Sequence, residues 1–487
     1  MGSVQRRATC WLVTPDRSPI VTGGLAGCIL NDWETSCDSV ESKPQNSRVQ
    51  NSLALYKRAA AMIPGGTQLL SRQPSRFAYG VSPIYAARAR GARFWDVDGH
   101  EYIDWTSGIG AILLGYADAV VDDAVREQIS QGTIYGINHE LELELAEELI
   151  ERVPCAEMVR YAKTGGEACA MAVRIARAAT GRDTILFCGY HGWHDWYLAA
   201  NLNDETELEA HLLPDIAPRG VPRALAGTSI PFPYGDADAL GESLDVRRGK
   251  VAAVVMEPLR SDEPPKGYLA AVATLCRDHG AVLVFDEVST GFRYSTGGAQ
   301  SDVGVTPDVA VFAKSISNGY PLAAVVGRRD VMQAAAETFV SSTYWSDTVG
   351  LRAGLTTLRE AVRRDVPGHC RQVGSQLQTE LTRLARQKGC PVRCCGIATH
   401  PRLEFDVSDA GSRTVLETLY IQEMARRGCH GLTAFYLNAA QGERELEQTL
   451  GAAGETFALL SDAHASGEPQ RWLECPVREV AFRRLVH

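Results

Sequence analysis

Ala281-Val282-Leu283-Val284-Phe285-Asp286-Glu287 runs five apolar residues straight into two acids. So short and so apolar a run reads as a strand covered on both faces, the kind that parallel sheets contain. Open α/β sheets bind ligands beyond the carboxyl ends of such strands, which is where Asp286 and Glu287 stand. A second run of the same kind, Pro307-Asp308-Val309-Ala310-Val311-Phe312-Ala313-Lys314-Ser315, delivers a lysine instead of an acid. Small, flexible neighbours, Ser317, Asn318 and Gly319, follow it.

Working outward, further strands are expected over Met158–Tyr161, Thr184–Cys188, Val251–Met256 and Leu322–Val326. Between them, apolar residues at helical spacing predict helices over Ala119–Ser130, Glu140–Val153, Tyr268–His279 and Asp330–Glu337. Strands that alternate with helices read as a parallel α/β sheet. From Trp345 the pattern becomes mainly helical, with one short strand at Arg402–Phe405, and this shift marks a second, smaller unit. The expected division is an extension over residues 1–50, an N-terminal part of a small domain over 51–105, and a large domain over 106–340. The rest of the small domain follows over 341–465, with a tail over 466–487.

Composition sets limits. The 487 residues are 45% hydrophobic and 22% charged, ordinary values for a globular enzyme. A net charge of -10 without a long basic run argues against nucleic acid, whose phosphates need a cationic surface. No run of eighteen apolar residues is present, so no membrane span is expected. Thirteen cysteines in no disulfide-framework spacing point to free thiols in a reducing, cytoplasmic setting. Leu25-Ala26-Gly27-Cys28 after Arg6-Arg7 resembles a lipoprotein cleavage box. Pro15-Asp16-Arg17-Ser18-Pro19 interrupts the apolar core that export needs, so a floppy extension is the better expectation.

Three local features combine into chemistry. A carboxylate at Asp286 suits the protonated nitrogen of a pyridine ring, and a lysine at Lys314 suits a Schiff base with an aldehyde. Thr164-Gly165-Gly166-Glu167 opens a helix, where free N–H groups and the helix dipole make an anion site. The dinucleotide fingerprint G-x-G-x-x-G is absent there. His191 and His194 have the spacing of a metal pair but no convincing third ligand, so no metal is expected.

These stretches resemble the class III, or ω-type, aminotransferases, and in particular their glutamate-1-semialdehyde 2,1-aminomutase-like branch. The resemblance covers about Tyr56 to Leu460. It is carried by PGG at Pro64, TGGEACAMAVRIARAATGR at Thr164, GYHGWHD at Gly189, MEP at Met256, FDEVSTGFR at Phe285 and AKSISNGYPLAAVVG at Ala313. It implies a fold type I pyridoxal-phosphate (PLP) transferase. Such a fold has a large domain with a mostly parallel sheet and a smaller α+β domain.

Residue by residue, the resemblance makes Lys314 the Schiff-base lysine and proton carrier, and Asp286 the partner of the ring nitrogen. Val288, two residues beyond, would share Asp286's side of the strand and pack on one ring face. Tyr190, beside His191, would stack on the other. Gly165 and Gly166 match the phosphate turn, although the family often carries hydroxyl residues on both sides of its glycine. Glu257 matches an acid near the cofactor. Thr343 matches a threonine that reaches the phosphate of the neighbouring subunit, implying a homodimer with shared sites. Arg72 stands where the aminomutase branch binds a substrate carboxylate.

Departures from that branch concern the substrate. Leu69 replaces a serine, Thr433 stands where an acid is expected, and bulky Tyr344 and Trp345 enter a loop beside the pocket. Gly115-Tyr116-Ala117-Asp118-Ala119 replaces a histidine-containing segment. The expected reaction is therefore transfer of an amino group between a separate small-molecule donor and a carbonyl acceptor. Intramolecular transfer, as in the aminomutase, is the alternative. A non-catalytic PLP-fold binding protein is the remote one.

Overall fold

The computed structural model describes residues 48–482. The extension expected over residues 1–50 lies almost wholly outside them, as does the lipoprotein-like box. Four short strands come from the two ends of the chain. These are β1 (Ala86–Arg90), β2 (Arg93–Asp96) and β3 (Glu101–Asp104), with Cys429–His430 added parallel to β3.

A seven-stranded sheet organises the rest. Its strands are β4 (Met158–Ala162), β5 (Thr184–Cys188), β6 (Ser229–Pro231), β7 (Val251–Met256), β8 (Val282–Asp286), β9 (Val309–Phe312) and β10 (Ala323–Gly327). Their order across the sheet is β4-β10-β9-β8-β7-β5-β6. The five strands from β9 to β6 are parallel, and β10 runs antiparallel to both of its neighbours.

Both faces of this sheet are covered, which is why β7, β8, β9 and β10 are buried at every position. Ala253, Val255 and Val284 pack towards the helix Gly165–Thr180. The alternating residues Val254, Met256 and Leu283 pack towards Ala237–Val246 and Tyr268–His279 on the other face. Side chains point to opposite faces with a period of two, so an apolar residue is needed at every position. Each fully buried Val or Leu contributes about 1.5–3 kcal/mol.

Beyond the sheet, Val392–Cys395 pairs antiparallel with Arg402–Phe405. The first of these strands was not expected from its sequence. The helix anticipated over Asp330–Glu337 is two short ones, Arg329–Met332 and Ala334–Glu337, meeting at Gln333. No helix among the described residues is long and apolar enough to cross a membrane.

Candidate active site

Parallel register brings the chemistry together. Cys188 pairs with Met256, Met256 with Phe285 and Phe285 with Ala310, so four strands end along one edge. The residues just past those ends are Tyr190 and His191 after β5, Glu257 after β7, and Lys314 after β9. Asp286 closes β8. Together with Gly165, Gly166 and Val288 they line one cavity of about 390 Å³.

Asp286 is buried, and three donors hold it. Val288 N–H donates to Oδ1 at 2.9 Å, the Cys169 thiol to Oδ2 at 3.4 Å, and His191 Nδ1 lies 2.7 Å from Oδ2. A carboxylate only accepts, so this Nδ1 is the protonated ring nitrogen when Asp286 is ionised. The neighbouring Glu287 turns away, into the protein, where Ala299 N–H and Gln300 Nε2 donate to it. Burial raises its pKa to about 7 despite those bonds. One acid thus faces the cavity and the other the core.

Lys314 adopts φ 50°, a left-handed conformation, and its Nζ donates to Ser289 Oγ at 2.8 Å. Tyr436 flanks it, with the ring centroid 6.0 Å from Nζ. Glu257 lies close by and accepts from Tyr190 N–H at 3.4 Å. Burial, and then the negative charge of Asp286, raise its pKa.

The glycine turn is built as an anion site. Thr164 and Glu167 form a capping box at the start of the helix Gly165–Thr180. Thr164 takes the N–H groups of Glu167 and Ala168. Those of Gly165 and Gly166 have no acceptor among the described residues. A Cβ at Gly165 would sit 2.9 Å from Val288 Cγ1, and one at Gly192 would sit 2.8 Å from Gly166 Cα. Glycine at both positions is thus a condition of the close packing.

Two predicted residues stand apart from this cavity. Thr343 is exposed in the turn Thr343–Ser346. Arg72 lines a larger cavity of about 550 Å³ with Asp104, Tyr116 and His430. Lys314 and Asp286 belong to the smaller one, so size alone does not pick out the candidate site. Val288 also reaches the cavity by an unexpected route: β8 ends at Asp286, and Val288 approaches from the turn beyond it. Neither Tyr344 nor Trp345 lines the Lys314 cavity. Ser289, Cys169 and Tyr436 are neighbours of Lys314 and Asp286 that the sequence reading missed. Only Ser289, three residues after Asp286, carried a local signal.

A lysine amine and a buried carboxylate facing one cavity beside an anion-binding turn is a specific constellation, and residues 77–406 match the family model for Aminotransferase class-III. The chain belongs to the class III aminotransferases. It is 32% identical to a 3-aminobutyryl-CoA aminotransferase of Cloacimonas acidaminovorans, with 84% of this chain and 97% of the relative covered. It is 34% identical to a glutamate-1-semialdehyde 2,1-aminomutase of Syntrophobacter fumaroxidans, with the same two shares. Among solved structures, an omega-transaminase from Sphaerobacter thermophilus is similar with a TM-score of 0.74 and 27% identity, covering 85% of this chain and 98% of that one.

This class III aminotransferase is accordingly a PLP-dependent enzyme of fold type I. The cavity fits the cofactor on its own chemistry. It offers an amine for an aldehyde, an ionisable carboxylate for a ring nitrogen, and two uncommitted N–H groups at a helix start for a phosphate.

Proposed function

We propose that the enzyme transfers an amino group between separate donor and acceptor molecules, with Lys314 and Asp286 as its catalytic pair. The observation that carries this reading is the meeting of Lys314 Nζ and the Asp286 carboxylate at one 390 Å³ cavity. PLP, when bound, supplies an aldehyde and an electron-accepting ring. Lys314 would hold it, and its amine would serve as the group that moves the proton at the donor's carbon. Ser289, hydrogen-bonded to Nζ, aims that amine. Asp286, held in place by its three donors, would pair with the ring nitrogen. Gly165 and Gly166 would hold its phosphate, and Tyr190 and Val288 would pack against its ring. His191 orients Asp286, and Glu257 would stand beside the cofactor.

The working unit is a homodimer, with Thr343 completing the partner's phosphate site. Its exposure supports this, as do the exposed apolar side chains of Phe339 and Tyr344, close to it in sequence. Ile137 is 83% and Phe339 87% exposed, and the loop at Gly132 and Thr133 is tied to Thr348, near Thr343. The enzyme works in the cytoplasm, a reading supported by the unpaired cysteines of the described residues. The small domain is assembled from residues 51–105 and 341–465 around a large domain over 106–340.

Intramolecular transfer is the second reading, favoured by the identity to aminomutase relatives. Weighing against it, Arg72 lines a cavity other than that of Lys314. A donor and acceptor screen of the purified holoenzyme decides between them. Amination of an added carbonyl acceptor at the donor's expense is expected. Rapid formation of aminolevulinate from glutamate-1-semialdehyde, with no acceptor needed, would overturn the intermolecular reading.

A further inference from the structure

Beside Lys314 lies another, smaller cavity of about 160 Å³. Ser289 and Glu257 line both it and the cofactor cavity, so the two share a wall next to the reactive amine. Its remaining polar lining includes Arg260, Thr290, Arg293 and His400.

This lining is unusual in its charge. Arg293 is 1% exposed, and backbone carbonyls of Gly110, Ile112 and Leu437, not carboxylates, take its N–H groups. Its guanidinium stands 5.7 Å from the Tyr436 ring centroid, on which the His400 ring stacks at 4.0 Å. Arg293 Nε, Thr290 Oγ1 and His400 Nε2 are buried without a hydrogen-bond partner among the described residues. Thr290 is itself only 7% exposed. Buried polar groups are ordinarily satisfied, and a buried cation without a counter-charge is costly, so these unpartnered groups favour an anionic acceptor in the pocket. Arg260 adds a second cation, its Nε 3.6 Å from Glu257 Oε2.

We propose that this pocket receives the carboxylate of the substrate, so that the enzyme acts on short amino acids and their oxo counterparts. The inference rests on the PLP-dependent function proposed above. A single carboxylate is favoured over a phosphate because Glu257 also lines the pocket and would repel a dianion. The chain between acid and amine is short, because Tyr436, which lines the pocket, has its ring centroid only 6.0 Å from Lys314 Nζ.

Titration calorimetry of the holoenzyme with succinate and with its neutral analogue succinamide tests the assignment. Succinate is expected to bind at least tenfold more tightly. Arg260→Gln and Thr290→Val should each weaken succinate about tenfold and leave succinamide within twofold. Thr290→Val preserves shape, so it carries the test if Arg260→Gln fails to fold. Equal affinity for the two probes would overturn the pocket. So would loss of the preference in Arg72→Gln while both pocket variants keep it. A wild-type protein that never develops the visible band of lysine-bound cofactor would overturn the PLP function and the pocket together. An intact band with no preference for the acid overturns the pocket alone.

Discussion

Lys314 is held in the left-handed region, which costs a residue with a side chain about 1–3 kcal/mol unless its surroundings impose it. That placement, with the Ser289 hydrogen bond, aims Nζ into the cavity rather than along the strand. Removing the amine by Lys314→Ala is expected to abolish turnover in a coupled transamination assay while leaving the circular dichroism unchanged. Asp286→Asn keeps the shape and removes the charge. It should retain cofactor but lose about a hundredfold or more in turnover number, as when a preorganised charge is deleted from an active site. An Asp286→Asn enzyme with undiminished rate would refute the role given to the carboxylate. Both residues were legible because each ends a run of buried apolar residues, and a charge there needs a reason. Ser289 and Tyr436 gave less away. A serine in a turn and a tyrosine far along the chain acquire meaning only from what stands beside them in space.

At the scale of elements, the site depends on how closely the glycine turn approaches the turn after β8. Gly165→Ala would drive a methyl group to 2.9 Å from Val288 Cγ1. The expected cost is about 1–3 kcal/mol, as for other overpacked interiors, seen as a lower melting temperature. Adding Val288→Ala should restore most of that temperature. If the double variant melts no higher than Gly165→Ala alone, the contact is not the cause. The buried strands were legible because a strand covered on both faces must be apolar throughout. Val392–Cys395 and Cys429–His430 were not. Four and two residues, one run carrying an arginine and the other a histidine, have no pattern of their own and become strands through their partners. Val288 lines the cavity from the turn beyond Asp286, because the strand expected to aim it stops there.

For the whole molecule, two partly or wholly enclosed imidazoles contribute to the response to acid. Burial first, then nearby cations, lower the pKa of His211 to about 4 and that of His400 to about 3. His211 Nδ1 accepts from Gly189 N–H, a bond that protonation would break. The unfolded chain protonates both near 6.5, so between that value and about 4 it binds more protons than the folded chain. Stability from this source is complete above pH 6.5 and declines as pH falls. Glu287, whose pKa is raised to about 7, acts in the opposite sense over the same range, so the test compares two proteins: on going from pH 7.5 to pH 5, His211→Gln should lose less melting temperature than the parent chain. An unchanged slope in that variant would remove His211 from the explanation. The proposed dimer belongs to this scale too, because the role given to Thr343 needs a second copy of the chain. Sedimentation should find twice the chain's mass. Nothing in composition could have announced that, since the relevant surface is gathered from separate segments by the fold.

The decisive measurement is borohydride reduction of the holoenzyme followed by peptide mapping. The visible band should bleach, and the cofactor mass should be found on the peptide carrying Lys314 alone. Label on another lysine, or no label at all, would contradict the assignment of the active site.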